Sequence, residues 1–93
     1  MKRNDFKKVI AKLKKEFVLV EVGTDHIAYD IYKNNILITT VKSSHSPKDY
    51  QDNLIAKNLH ISKTHLDSYA QCHFSNEELI QSIKHKGYWP DKV

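Results

Sequence analysis

The sequence predicts an α+β fold, an αβββα two-layer sandwich followed by two short C-terminal helices. Two observations carry this prediction: apolar spacing changes from helical to β-type and back again, and a two-residue turn signal sits between two of the predicted strands. The 93 residues, 40% of them hydrophobic, are enough for one core and too few for two independent ones. We therefore predict a single domain over residues 1 to 93, with an αβββα core over residues 1 to 60 and a helical extension over residues 61 to 93.

The first helix is predicted from Asn4, which is a suitable N-cap residue. Its apolar residues recur at the spacing of a helix that buries one stripe and exposes its lysines. This stripe consists of Phe6, Val9, Ile10, Leu13 and Phe17.

Three strands are predicted next. The first is the β-branched and aromatic segment from 17 to 22, which ends at Gly23, and the second runs from 26 to 33. Alternation places Ile27, Tyr29 and Ile31 on one face of the second strand. Asn34-Asn35 tolerates positive φ, so we expect a tight hairpin into a third strand over residues 36 to 42.

The remaining chain is predicted to be helical. A second helix has the inward residues Tyr50, Leu54, Ile55 and Leu59. Two short helices follow, with Ser62 and Ser75 as N-caps and with Glu78 completing a capping box. Gly87 ends the last helix, and the aromatic tail at Trp89 either packs back on the core, which we expect, or meets a partner.

Charge is concentrated at the start of the chain. The net charge is +4, but residues 1 to 16 hold seven basic and two acidic side chains, a net of +5, whereas residues 17 to 93 have a net of −1. A basic cluster of this kind attracts polyanions, and its binding depends on salt. The alternative is a solvated helix face that serves solubility.

Several classes of protein are disfavoured. The longest apolar stretch, residues 17 to 20, is too short to cross a bilayer, and no signal-peptide core follows the basic N-terminus, so we expect a cytoplasmic protein. Cys72 is the single cysteine and cannot form an internal disulfide. The histidines and this cysteine lack paired metal-ligand spacing, and no glycine-rich phosphate loop exists, so we expect neither a metal nor a nucleotide cofactor.

The segment Gly23-Thr24-Asp25-His26 forms a loop that ends on a histidine at the start of a strand. An imidazole can take a proton from the 2′-OH of RNA and return one to a leaving group. The alternative is that His26 is a half-buried structural residue. His45 is a possible second acid or base, because the antiparallel hairpin returns the third strand to the same end of the sheet. It can equally cap the second helix or face solvent.

The αβββα order, the opening Lys2-Arg3-Asn4-Asp5-Phe6, the strand Val18-Leu19-Val20 and the Gly23-Thr24-Asp25-His26-Ile27 step together resemble the HicA family of small toxins. The resemblance covers residues 1 to 60. It implies a fold similar to double-stranded RNA-binding domains, metal-independent cleavage of RNA (an mRNA interferase) with His26 as the catalytic residue, and a HicB-like antitoxin as partner.

On this hypothesis the first helix holds RNA phosphates through four lysines, and the loop at Gly23 and Thr24 presents His26. These lysines are Lys7, Lys8, Lys12 and Lys15. Two alternatives stay open: a noncatalytic RNA-binding module of the same fold, and a protein-interaction module that uses the C-terminal helices and Trp89. The chain departs from the family in its longer C-terminus and in Thr24 and Asp25, where the family usually has Ser and His.

Overall fold

The computed structural model describes residues 3 to 23, 27 to 43 and 52 to 90. Over these residues the chain has an α+β fold with a three-stranded antiparallel sheet and several helices, as the sequence predicts. The elements in chain order are α1 (Arg3–Leu13), β1 (Val18–Glu21), β2 (Ile27–Lys33), β3 (Ile36–Ser43), α2 (Asp52–Asn58), α3 (Lys63–Ala70) and α4 (Asn76–His85). None of the helices among the described residues is both long enough and apolar enough to span a membrane.

The sheet is a meander in which β2 lies between β1 and β3. Asn34 and Asn35 connect β2 to β3 with φ angles of 52° and 65°, so the predicted hairpin and its positive-φ turn are confirmed. Positive φ at both central residues is the mark of a type I′ turn, whose twist matches that of the flanking strands. Ile27 pairs with Ser43, so β2 begins where β3 ends.

The apolar stripe of α1 is buried as predicted, but the predicted N-cap is wrong. Phe6, Val9 and Leu13 are almost fully covered, whereas Asn4 lies inside the helix, which already includes Arg3. A buried stripe determines which face of a helix packs on the core, but it does not determine at which residue the first turn begins.

One hydrophobic core joins the sheet to all four helices. Ile31 and Val41 contribute from the sheet, and the C-terminal helices add side chains that are as well buried as those of α1 and α2. The residues after position 60 in this core are Ile61, Leu66, Tyr69, Ala70, Phe74, Leu79 and Ile83. The predicted extension therefore shares its packing with the αβββα part.

The predicted N-caps of the last two helices are confirmed. The Ser62 hydroxyl accepts a hydrogen bond from the His65 backbone N–H at 3.1 Å. Ser75 and Glu78 form the complete capping box at the start of α4. Each cap satisfies backbone donors that a first helical turn otherwise leaves unpaired.

Three helices end in the same left-handed turn, with His60, Cys72 and Gly87 at φ angles of 60°, 64° and 80°. In the last of these turns the Gly87 N–H donates to the Lys84 carbonyl at 3.0 Å and the Tyr88 N–H to the Ile83 carbonyl at 3.1 Å, which is the Schellman pattern. Gly87 thus ends α4 as predicted. The other two turns use a histidine and a cysteine where glycine is the usual residue.

The aromatic tail packs back on the core, as expected. The Trp89 ring lies edge-on to Phe17 with ring centroids 6.5 Å apart, and the Lys84 ammonium lies 5.4 Å from the Trp89 ring centroid. Tyr88, by contrast, is 57% exposed.

Candidate functional site

The exposed side of α1 carries a row of lysines. Because the buried stripe occupies positions 6, 9, 10 and 13, the lysines between and after these positions face solvent around the exposed Ala11. The exposed lysines are Lys7, Lys8, Lys14 and Lys15. Over the described residues, the structure shows no ion pair for three of them, and Lys8 lies 3.9 Å from the Asp5 carboxylate in a weak surface contact.

Lys7 and Lys14 line a cleft of about 460 Å³ between α1 and the sheet. Its sheet side is formed by Glu21, Ile27 and Tyr29, and the Tyr29 ring packs near Phe6 with centroids 6.4 Å apart. The two lysines are seven positions apart, two helical turns or about 10 Å along the axis, so they lie on the same side of the helix.

Lys14 was absent from the predicted phosphate-binding set, although the sequence contains a signal for it. Residues seven positions apart share one helix face, so Lys7 predicts Lys14 as its neighbour. Lys8 and Lys15 are related in the same way, and they line a separate groove together with Ala70, Cys72 and Asn76. The lysines therefore form two pairs, one on each side of Ala11.

Lys12, the remaining predicted phosphate ligand, is held by the protein itself. Its ammonium donates to the Tyr69 carbonyl at 3.2 Å and to the Phe74 carbonyl, and it lies 4.3 Å from the centroid of the Tyr69 ring. The Lys12 carbonyl accepts from the Asn76 side-chain amide at 2.9 Å, and Asn76 in turn accepts from the Tyr69 hydroxyl. We call this group, Lys12, Tyr69, Phe74 and Asn76, the Lys12 clasp.

The Lys12 clasp is a polar network inside the helical layer. Tyr69 is fully buried. This burial raises the pKa of its hydroxyl, and the nearby Cys72 and Glu16 raise it further to a smaller extent. The hydroxyl therefore remains a hydrogen-bond donor at neutral pH. The clasp joins α1 to α3 and α4. Its ammonium is thus committed to carbonyl oxygens, and we leave Lys12 out of the proposed RNA contacts.

The predicted catalytic residues lie outside the described residues: His26, His45 and Thr24 belong to the segments 24 to 26 and 44 to 51. Gly23, half-buried, ends the described chain after β1. Ile27 follows His26 directly in the sequence and lines the cleft beside Lys7 and Lys14. The pairing of Ile27 with Ser43 brings together the strand ends from which the His26 and His45 segments depart.

Asp30, which alternation places on the His26 side of β2, already has a partner. Its carboxylate accepts a hydrogen bond from the Thr40 hydroxyl at 2.7 Å across the strand pair. Among the described residues, no group of three histidine, cysteine, aspartate or glutamate side chains is arranged to hold a metal ion, and Cys72 is an exposed free thiol.

Comparison with known proteins returned no matching family model, no matching curated sequence and no matching solved structure.

Proposed function

We propose that the chain is an RNA-binding endoribonuclease of HicA type with a fold like that of double-stranded RNA-binding domains. The observation that carries the proposal is the cleft in which Lys7 and Lys14 stand beside Ile27, one residue from His26. Ammonium groups next to a histidine are what cleavage of a phosphodiester needs, because the histidine moves protons and the ammonium groups stabilise the charge that develops on phosphate.

In the proposed reaction His26 takes the proton from a ribose 2′-OH. The resulting oxygen attacks the adjacent phosphorus, the bond to the 5′-oxygen of the next nucleotide breaks, and the products are a 2′,3′-cyclic phosphate and a 5′-hydroxyl. The leaving oxygen receives its proton from a second acid, for which His45 is the candidate, or from water. Lys7 and Lys14 offset the negative charge on the phosphate during this transfer. The residues suffice without a metal.

The proposed partner is a HicB-like antitoxin that covers the same surface. Three exposed lysines without an ion pair among the described residues favour a partner with an acidic face. The competing assignment, a protein-interaction module built on the aromatic tail, is less well supported, because Trp89 is already packed against Phe17.

RNA binding tests the role of the cleft. The double variant Lys7→Gln/Lys14→Gln is expected to weaken binding of a single-stranded RNA about tenfold or more at low salt. The slope of log K against log salt is expected to fall by about 1.4, since each phosphate contact to a single strand contributes about 0.7. Fluorescence anisotropy of a labelled oligonucleotide over a salt series measures both quantities.

The matched control is Lys42→Gln/Lys84→Gln, which removes the same charge from exposed positions outside both lysine pairs of α1. Its RNA affinity is expected to stay within about twofold of wild type, because screening limits the effect of distant charges. Equal losses in the two double variants would show that net charge, and not the cleft, attracts RNA. Binding by wild type without any cleavage would instead identify a noncatalytic RNA-binding module.

A further inference from the structure

Another basic cleft, of about 370 Å³, lies where the end of α2, the start of α3 and the end of α4 meet. Three lysines line it, Lys57, Lys63 and Lys86, together with the rings of His60 and Tyr88. None of these residues belongs to the two lysine pairs of α1. The volume lies within the range of about 300–1,000 Å³ that is common for small-molecule sites.

The described lining of this cleft is basic. Lys57 and Lys86 contribute exposed ammonium groups, and no carboxylate is among the residues that the structure shows along it. Burial and the Lys86 ammonium both lower the pKa of His60, so the imidazole is largely neutral at pH 7. Like charges that converge on one cleft repel one another, and a bound anion removes this repulsion.

Lys57 and Lys86 reach the cleft from the C-terminal ends of α2 and α4. Cations at helix C-termini also interact favourably with the helix dipole, which by itself explains one lysine at each end. The helix dipole does not explain why the C-terminal ends of α2 and α4 meet at one shared cleft together with Lys63 in the first turn of α3.

The two rings form the second part of the site. His60 and Tyr88 stack with centroids 3.9 Å apart and an interplanar angle of 9°. Tyr88 is 57% exposed, so the stacked pair is accessible from solvent. His60 has a φ of 60°, a backbone conformation that glycine adopts more readily than any other residue, yet this position holds the imidazole that stacks on Tyr88.

We propose that this cleft binds a phosphorylated nucleotide, with its phosphate between the ammonium groups of Lys57 and Lys86 and its base stacked on Tyr88. The recognised chemistry is a phosphate monoester joined to a flat aromatic ring. Both a free nucleoside monophosphate and the 5′-phosphorylated end of an RNA strand carry it. This site is separate from the α1 cleft and does not depend on cleavage of RNA.

Isothermal titration calorimetry of the full chain with AMP, adenosine and inorganic phosphate tests the proposal. AMP is expected to bind at least tenfold more tightly than adenosine, because the phosphate makes charge-assisted hydrogen bonds, and more tightly than phosphate alone, because the base stacks. Lys57→Gln/Lys86→Gln is expected to weaken AMP binding at least tenfold. The control Lys8→Gln/Lys15→Gln, at exposed lysines that line a different groove, is expected to leave it within about twofold.

Proton NMR of His60 supplies a readout that a general loss of stability does not produce. AMP is expected to raise the pKa of His60, because the phosphate offsets the positive charges that face this ring, namely Lys57 from α2, Lys63 from α3 and Lys86 after α4, while the Tyr88 phenol stacks on it. Tyr88→Ala is expected to bring the affinity for AMP down to that for inorganic phosphate.

A 5′-phosphorylated hexanucleotide identifies the source of the ligand. It is titrated into Lys7→Gln/Lys14→Gln, which removes the contribution of the α1 cleft. Binding tighter than that of AMP and of the same strand with a 5′-hydroxyl assigns the site to RNA ends, whereas binding no tighter than that of AMP assigns it to free nucleotides, and either result upholds the phosphate site. Equal binding of AMP and adenosine, an equal loss in the control variant, or no binding of AMP and of the hexanucleotide would overturn it. Lys7→Gln/Lys14→Gln is expected to keep AMP binding, so failure of the α1 proposal remains distinguishable.

Discussion

His26→Ala is expected to reduce RNA cleavage by about 10²- to 10⁴-fold, the usual contribution of a positioned general base. The reason is chemical: without the imidazole, only water accepts the proton of the 2′-OH. RNA affinity is expected to remain within a few-fold of wild type, because the lysines of α1 are unchanged. The measurement is the initial rate of cleavage of a labelled RNA by purified protein in the presence of a metal chelator.

His85→Ala serves as the control, since His85 lies exposed in the last turn of α4 and lines neither the α1 cleft nor the cleft that contains Lys57 and Lys86. It is expected to cleave at the wild-type rate. An unfolding curve for each variant confirms that the fold is intact. Wild-type cleavage by His26→Ala would remove His26 from the mechanism, and His45→Ala then tests the remaining candidate.

Lys12→Ala is expected to lower the free energy of unfolding by about 2–3 kcal/mol, since it removes a charged donor and its hydrogen bonds to two backbone carbonyls. The carbonyls are those of Tyr69 and Phe74, and the contact of the ammonium with the Tyr69 ring is lost as well. Urea unfolding followed by the fluorescence of Trp89, the single tryptophan, measures the change.

Two variants separate the contributions within the Lys12 clasp. Lys12→Met keeps an unbranched apolar chain but has no donor, so its loss isolates the hydrogen bonds. Lys15→Ala removes an exposed lysine just after the same helix and is expected to change stability by less than about 0.5 kcal/mol. If Lys12→Ala were as stable as Lys15→Ala, the clasp would have no energetic role, and Lys12 would again be a candidate for phosphate binding.

The sequence predicts those features of the fold that depend on local pattern. The stripe of α1 and the turn at Asn34-Asn35 were found because helical spacing and positive-φ tolerance can be recognised within a few residues. The serine caps of α3 and α4 were found for the same reason. The start of α1 was missed, because neighbouring residues tolerate either the cap or the first turn.

The site was less predictable, because its contacts join distant parts of the chain. Composition locates the basic helix, but nothing near Lys12 in the sequence distinguishes it from Lys8 or Lys15; its carbonyl partners lie 57 and 62 residues away. Lys57 and Lys86 face one cleft only after α2 and α4 have packed on the same core. The sequence does not predict that His60 ends a helix with a positive φ, because glycine is the residue that normally marks such a helix end.

The Lys12 clasp also determines at what stage of synthesis the chain can complete its fold. The Lys12 carbonyl accepts a hydrogen bond from Asn76, 64 residues later, so the contacts of α1 are complete only after α4 has left the ribosome. Until then α1 lacks part of the surface against which it packs, and the helix that carries the lysines is not yet held in place. A nascent chain stalled near residue 60 is therefore expected to be sensitive to protease throughout α1.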